Sequence, residues 1–146
     1  VGFYRSKYTK EGKEKYLATT QFEAADARRA FPCFDNPELK ATFEISMIIN
    51  DRLQSISNMP IIEERQIVGN RKVVKFAKTP LMSTYLLYLG VGDFDFVEDM
   101  VGNVVIRVDT VSGKKDQLQL ALDYTKKFLQ FFQNYFQIKY PLPKLD

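Results

Sequence analysis

The chain has 146 residues, of which 21 are Lys or Arg and 18 are Asp or Glu, and it contains no histidine and one cysteine, Cys33. The missing imidazole excludes histidine-based acid–base catalysis and histidine-ligated metal sites in this sequence, and one thiol excludes an internal disulfide or a cysteine-rich zinc cluster. A hydrophobic fraction of 45% permits a folded core, and the length suits one domain of ~100–200 residues.

The charge pattern limits the classes of partner. The formal net charge is only +3, and the cations are scattered along the chain. Nucleic-acid-binding proteins concentrate positive charge on one face, so we expect no nucleic-acid partner. No apolar run approaches the ~20 residues that span a bilayer, so we expect no membrane partner. A lone thiol favours a reducing compartment, which predicts a cytoplasmic location.

Short segments typical of β-strands fill the first three quarters of the chain. In chain order, strands are predicted at 3–8, 16–23, 40–49, 53–57, 65–68, 71–76, 85–91, 94–97 and 104–108. In the third of these segments, apolar residues alternate with polar ones at Ala41, Phe43, Ile45, Met47 and Ile49. This period of two is typical of a half-buried antiparallel strand.

Turn residues and apolar runs indicate how these strands are arranged. Gly69-Asn70 predicts a hairpin, because glycine supplies the positive φ that a two-residue turn needs, and Gly102-Asn103 joins another strand pair. The run 85–91 shows little alternation, which favours a strand covered on both faces. Roughly eight to ten short strands predict a mainly β fold, with a saddle-like antiparallel sheet or two packed sheets.

The hydrophobic period changes near Gly113 from two to about 3.6 residues. A single long C-terminal helix is predicted over about 114–137 from the spacing of Leu118, Leu122, Leu129, Phe132 and Phe136. Its Phe-rich apolar stripe is too wide for one sheet edge to cover, so we infer a further partner outside this chain. The opening residues VGFY and the closing residues YPLPKLD also favour a piece of a longer chain.

The segment 19–37 differs in composition from the rest of the chain and contains the candidate binding residues. Gln21 and Glu23 are two residues apart, so on a strand their side chains point to the same face. A carboxylate beside an amide that both donates and accepts suits the ammonium and adjacent backbone of a peptide. A solvated strand face with no binding role explains the same two residues, and composition alone favours that explanation.

The residues after this pair suggest structural roles. Asp26 and the pair Arg28-Arg29 predict an ion pair that pins an irregular stretch. Cys33 has no histidine to activate it, so we do not expect it to act as a nucleophile. Asp35-Asn36-Pro37 predicts a turn.

The sequences TQFE at 20–23 and DARRAFPCFDNP at 26–37 resemble the zinc aminopeptidases of the gluzincin family, which include puromycin-sensitive and archaeal tricorn-interacting types. The resemblance covers nearly the whole chain. Further matching segments follow in the family's order: GFYRS at 2–6, PLMSTYL at 80–86, VGDF at 91–94 and YPLPKLD at 140–146.

This resemblance implies a fold and residue roles. Residues 1–112 would form part of the aminopeptidase N-terminal β domain, and 113–146 would form the first helix and lead-in loop of a thermolysin-like catalytic domain that is otherwise missing. Glu23 would hold the free α-amino group of the substrate, and Gln21 would contact its first residue. The resemblance also implies a cis peptide bond between Glu23 and Ala24. It assigns no catalytic residue and no metal ligand to this chain.

The family's zinc motif, HExxH with a later Glu, and its Gly-x-Met-Glu-Asn motif do not occur in this sequence. The resemblance therefore implies a fragment of a zinc metallo-aminopeptidase that hydrolyses N-terminal residues from peptides, is inactive alone and binds no zinc itself. Its partners would be peptides with a free N-terminus and the remaining catalytic domain. Two alternatives stay open: a non-catalytic aminopeptidase-like β scaffold, and a stand-alone binding module, which the absence of Trp disfavours.

Overall fold

The computed structural model describes residues 1–146 and confirms a mainly β chain with antiparallel sheets and one long C-terminal helix. The chain forms two compact units, Val1–Asp93 and Phe94–Asp146. The assignment of 1–112 and 113–146 to two domains of a longer protein stays a prediction.

The first unit contains seven strands in two sheets. The strands are β1 (Gly2–Lys10), β2 (Lys13–Gln21), β3 (Ser46–Asn50), β4 (Gln54–Ser57), β5 (Ile61–Ile67), β6 (Arg71–Phe76) and β7 (Leu89–Gly92). One sheet has the order β1-β2-β7-β4 and the other has the order β3-β6-β5. All neighbouring strands in both sheets are antiparallel.

Two local predictions for this unit are confirmed, the hairpin at Gly69-Asn70 and the alternation between Phe43 and Ile49. The strand that contains the alternation begins later than predicted. Gly69 and Asn70 both have positive φ, 81° and 53°, and join β5 to β6 as a hairpin. The alternation between Phe43 and Ile49 is also present, since the apolar residues are at least half-buried and the intervening residues are exposed. However, β3 begins at Ser46 rather than at residue 40, because the backbone of Phe43 bonds to Thr79 instead of to a neighbouring strand.

The prediction of one continuous strand over 85–91 is wrong. Thr84–Leu86 forms a 3-10 turn, and β7 begins only at Leu89. The apolar run instead reflects the burial of Leu87, which is 4% exposed. The stretch is not covered on both faces, since Leu86 is 48% exposed.

Two apolar clusters stabilise the first unit. The first cluster consists of Phe22, Ala27, Met82 and Leu87. The second consists of Ile49, Val74 and Phe76. The first cluster includes Phe22, which lies between Gln21 and Glu23, so this cluster holds the backbone of the candidate segment in place.

The second unit consists of a hairpin, a helix and a short parallel strand. Its elements are β8 (Phe94–Val101), β9 (Val104–Val111), α1 (Gln119–Phe136) and β10 (Lys144–Leu145). The sheet order is β10-β9-β8, with β10 parallel to β9. Its core consists of Val101, Val104, Ile106, Leu122 and Leu129, so the helix buries two of its leucines against the hairpin.

The helix is shorter than predicted and leaves many aromatic side chains uncovered. It begins at Gln119 rather than 114, because Gly113 has a φ of 96° and Lys115–Gln117 forms a 3-10 turn. We define the aromatic face by six residues that are each at least 49% exposed: Tyr124, Phe128, Phe131, Phe132, Tyr135 and Phe136. No helix of the structure has the length and apolar character that crossing a membrane requires.

Candidate functional site

The candidate segment is attached to the core through Phe22, the residue immediately after β2. The Phe22 side chain is 1% exposed, and its ring meets that of Phe31 edge-on at a centroid distance of 6.0 Å. The strand predicted over 16–23 ends earlier than predicted, because β2 stops at Gln21 and Glu23 begins the turn that follows buried Phe22. Gln21 and Glu23 are both exposed.

Short backbone contacts shape the turn that carries these two residues. The Glu23 N–H donates to Gln21 Oε1 at 3.1 Å, and the Asp26 N–H donates to the Phe22 carbonyl at 2.9 Å. The peptide bond between Glu23 and Ala24 is cis, as predicted. The bond to Gln21 Oε1 orients the Gln21 amide and leaves its NH₂ group as a free donor.

The carboxylate of Glu23 has no hydrogen-bond or ion-pair partner within the chain. The nearby basic residues are engaged elsewhere, because Arg29 Nη1 lies 3.4 Å from Asp26 Oδ1 and Arg28 pairs with Asp35. The predicted Asp–Arg ion pair is therefore present between Asp26 and Arg29, whereas Arg28 pairs with Asp35 and not with Asp26. The same pairing leaves the negative charge of Glu23 uncompensated.

Asp35 is the buried centre that holds the segment after Glu23. Its Oδ2 accepts from the Arg28 backbone N–H at 3.0 Å and from Arg28 Nε at 3.2 Å, and its Oδ1 accepts from Thr84 Oγ1 at 2.6 Å. Burial alone would raise the pKa of Asp35, but the bonds from Thr84 and Arg28 together hold that pKa below its ordinary value. Asp35 is therefore an ionised acceptor at neutral pH.

The structure adds residues that the sequence did not indicate. The hydroxyl of Ser83 donates to the Pro37 carbonyl at 2.6 Å, while the neighbouring Thr84 bonds to Asp35. These contacts join positions more than 45 residues apart. The only sequence signal was the pair of adjacent hydroxyl residues, which is compatible with many turns.

The remaining candidates for chemistry near this segment are the Cys33 thiol and side chains that could bind a metal ion. Burial raises the pKa of the Cys33 thiol, and the neighbouring Asp35 raises it further, so the reactive thiolate is disfavoured. No group of three or more His, Cys, Asp or Glu side chains lies close enough together to hold a metal ion. The residues of this chain therefore do not fit a zinc site.

The arrangement provides recognition chemistry rather than bond-making chemistry. A free carboxylate accepts hydrogen bonds from a cation, and a free amide NH₂ two residues away donates to a neighbouring carbonyl.

Comparison with known sequences places the chain in a defined class of peptidase domain. Residues 1–86 match the sequence model of the family described as the Peptidase M1 N-terminal domain, and the chain belongs to this family.

Several similar proteins carry aminopeptidase names. The chain is 49% identical over 146 residues to aminopeptidase M1 of Arabidopsis thaliana, covering 99% of this chain and 16% of the relative. It is 47% identical over 148 residues to the puromycin-sensitive aminopeptidase of Caenorhabditis elegans, covering 99% and 16%. It is 46% identical over 144 residues to probable aminopeptidase 2 of Sulfurisphaera tokodaii, covering 99% and 18%.

The chain thus spans about a sixth of the length of the curated relatives it matches. The resemblance noted in the sequence is confirmed at the level of the family.

Proposed function

We propose that this chain is part of a zinc aminopeptidase and that it supplies recognition of the substrate's α-ammonium group. The observation that supports this most is the exposed Glu23 carboxylate, which is fixed by buried Phe22 and has no partner of its own. A charged group held in place without a partner suits an external cation better than it suits stabilisation of the fold.

Glu23 and Gln21 divide the recognition between them. Glu23 accepts charge-assisted hydrogen bonds from the ammonium of the first substrate residue. Gln21, whose Oε1 is occupied by the Glu23 N–H, uses its NH₂ group to donate to the carbonyl of that residue. Fixing the amino end in this way restricts the peptide to one register, so that only the first amide bond lies at the reacting position.

The hydrolytic chemistry belongs to the rest of the parent protein. A bound zinc ion would supply an activated water there, whereas this chain has no histidine and no cluster of metal ligands. We therefore propose that the chain is inactive alone. The aromatic face of α1 supports a second contact with the parent, because the remaining catalytic domain would cover it. Cytoplasmic location and the absence of nucleic-acid and membrane partners stay predictions.

The test uses Glu23→Gln in the full-length parent protein, with Glu38→Gln as the matched control. Glu38 is also exposed and its carboxylate also has no partner, so the control removes an equivalent charge from the same unit. Loss of a hydrogen bond to a charged group is worth ~1.5–3 kcal/mol, so kcat/KM for aminoacyl substrates should fall by about 10- to 150-fold. Glu38→Gln should leave kcat/KM unchanged.

A second comparison isolates the ammonium group. N-acetylated substrates lack the positive charge, so whatever slow cleavage they undergo should respond equally to Glu23→Gln and to the control. Unchanged cleavage of free-amine substrates by Glu23→Gln would refute the role of Glu23. An unmodified parent protein that hydrolyses no aminoacyl substrate, and whose sequence lacks HExxH, would instead support the non-catalytic scaffold.

A further inference from the structure

The ring of Tyr88 lies flat against the sheet close to the candidate site. A Cβ built on Gly90 would stand 2.9 Å from Tyr88 Oη and 3.1 Å from its Cε1, so the ring occupies the space that a side chain at position 90 would take. The Thr19 hydroxyl donates to Tyr88 Oη at 3.1 Å. The ring therefore crosses from β7 to β2 over Gly90, and a side chain at position 90 would displace it.

Strand register places this ring on the same face of the sheet as Gln21. Thr19 pairs directly with Gly90, and residues directly opposite in an antiparallel pair share a face. Thr19 and Gln21 are two residues apart on β2, so they also share that face, with about 7 Å between their Cα positions. The phenol bonded to Thr19 thus lies on the face of the sheet that carries Gln21, which is two residues further along β2.

The backbone of Tyr88 is held by side chains rather than by a strand partner. Its N–H donates to Asn58 Oδ1 at 2.8 Å, and its carbonyl accepts from the Ser57 hydroxyl at 2.8 Å. Asn58 also donates from Nδ2 to the Leu86 carbonyl at 2.8 Å. These bonds and the phenol contact fix the ring at both ends, although the residue remains 36% exposed.

We propose that Tyr88 is a specificity-determining residue: its ring forms a platform for the side chain of the substrate's first residue and favours aromatic and large aliphatic side chains. This inference rests on the proposed function of Gln21 and Glu23. A peptide whose ammonium binds Glu23 and whose carbonyl meets Gln21 places its first side chain within reach of the neighbouring surface. An immobilised aromatic ring offers that side chain stacking contact with little loss of conformational entropy.

The experiment measures kcat/KM of the full-length parent protein on Phe, Leu and Ala aminoacyl-amide substrates. Tyr88→Ala should lower kcat/KM for the Phe and Leu substrates by about three- to tenfold and leave the Ala substrate within about twofold, because only the larger side chains reach the ring. Tyr88→Phe keeps the ring, loses only the bond to Thr19, and should retain the selectivity. Tyr16→Ala is the matched control, since Tyr16 is 43% exposed on the opposite face of β2.

The outcomes separate this inference from the function on which it rests. Equal losses on all three substrates, or unchanged selectivity in Tyr88→Ala, would overturn the platform while Glu23→Gln still showed its own defect. A similar change of selectivity in Tyr16→Ala would also count against it. A parent protein with no dependence on Glu23 would overturn both proposals.

Discussion

Replacing Asp35 with Ala tests whether a single buried carboxylate holds the segment that follows Glu23. Asp35 is 8% exposed, and its carboxylate receives three hydrogen bonds, from the Arg28 N–H, from Arg28 Nε and from the Thr84 hydroxyl. Asp35→Ala removes all three bonds. Asp35→Asn keeps the shape, and the amide that replaces the carboxylate can still accept from Arg28 and donate to Thr84, but the charge is lost.

The expected magnitude follows from which partners stay buried. Thr84 is 4% exposed, so its orphaned hydroxyl costs about 1–3 kcal/mol. Arg28 is an exposed residue, so loss of the bond from its N–H costs less, about 0.5–1.5 kcal/mol. The Arg28 side chain is 58% exposed, which limits the ion pair itself to about 0–1 kcal/mol. We therefore expect Asp35→Ala to lower the free energy of unfolding by about 3–5 kcal/mol and Asp35→Asn by about 1–2 kcal/mol.

The assay is urea unfolding followed by far-UV circular dichroism, with the midpoint and slope compared among variants. Cys33 provides a local readout, because it is half-buried, it lies two residues from Asp35, and it is the only thiol. Its labelling by a thiol reagent should accelerate in Asp35→Ala. Asp116→Ala is the control, since Asp116 is exposed on a turn of the second unit.

The pH dependence supplies an independent check. The pKa of Asp35 is lower in the folded chain than its ordinary value, so its stabilisation is complete above an unfolded pKa of about 3.9 and is lost as the pH falls through the folded value. The stability difference between the unmodified chain and Asp35→Asn should therefore shrink below about pH 4. A loss under about 1 kcal/mol in Asp35→Ala, or a difference that persists at low pH, would refute this account.

Two further predictions concern the second unit. Ile106 is 0% exposed in the core of that unit, so Ile106→Ala should lower the free energy of unfolding by about 2–5 kcal/mol in urea titrations, and a loss under about 1 kcal/mol would contradict this core assignment. Phe128 and Phe132 are 55% and 49% exposed, so replacing both with Gln should reduce binding of an apolar fluorescent dye by the 146-residue chain. The same double substitution should change the free energy of unfolding, measured in urea, by less than about 1 kcal/mol. If the double substitution left the dye fluorescence unchanged, the dye would not bind to the aromatic face, and this prediction would be wrong.

Local chemistry made much of the fold predictable. The hairpin at Gly69-Asn70 follows from backbone conformation, and the C-terminal helix follows from the spacing of Leu122 and Leu129, which are its buried contacts. The exposure of Gln21 at the end of β2 also follows from alternation with buried Phe22, whereas Glu23 already lies in the turn. In these cases the determining interactions lie within a few residues of one another.

The remaining features depend on hydrogen bonds between distant segments. The stretch 84–88 is apolar enough for a strand, but Thr84 bonds to Asp35 and Tyr88 bonds to Asn58, so the backbone turns instead. No periodic pattern records such pairings. The resemblance to a family indicated Gln21 and Glu23, whereas the placement of Tyr88 over Gly90 could be seen only in three dimensions.

The attachment of both candidate binding residues to one buried ring affects how sequence variants of this protein should be classified. Phe31 and Leu87 pack in the cluster around Phe22 and lie under the turn rather than on its surface. A change at either position would alter the packing of Phe22 and, through the backbone, the positions of Gln21 and Glu23, so it should lower the free energy of unfolding and disturb the turn together. Under the role proposed for Gln21 and Glu23, variants in this buried cluster would be expected to change peptide binding although their side chains lie away from the surface of the turn.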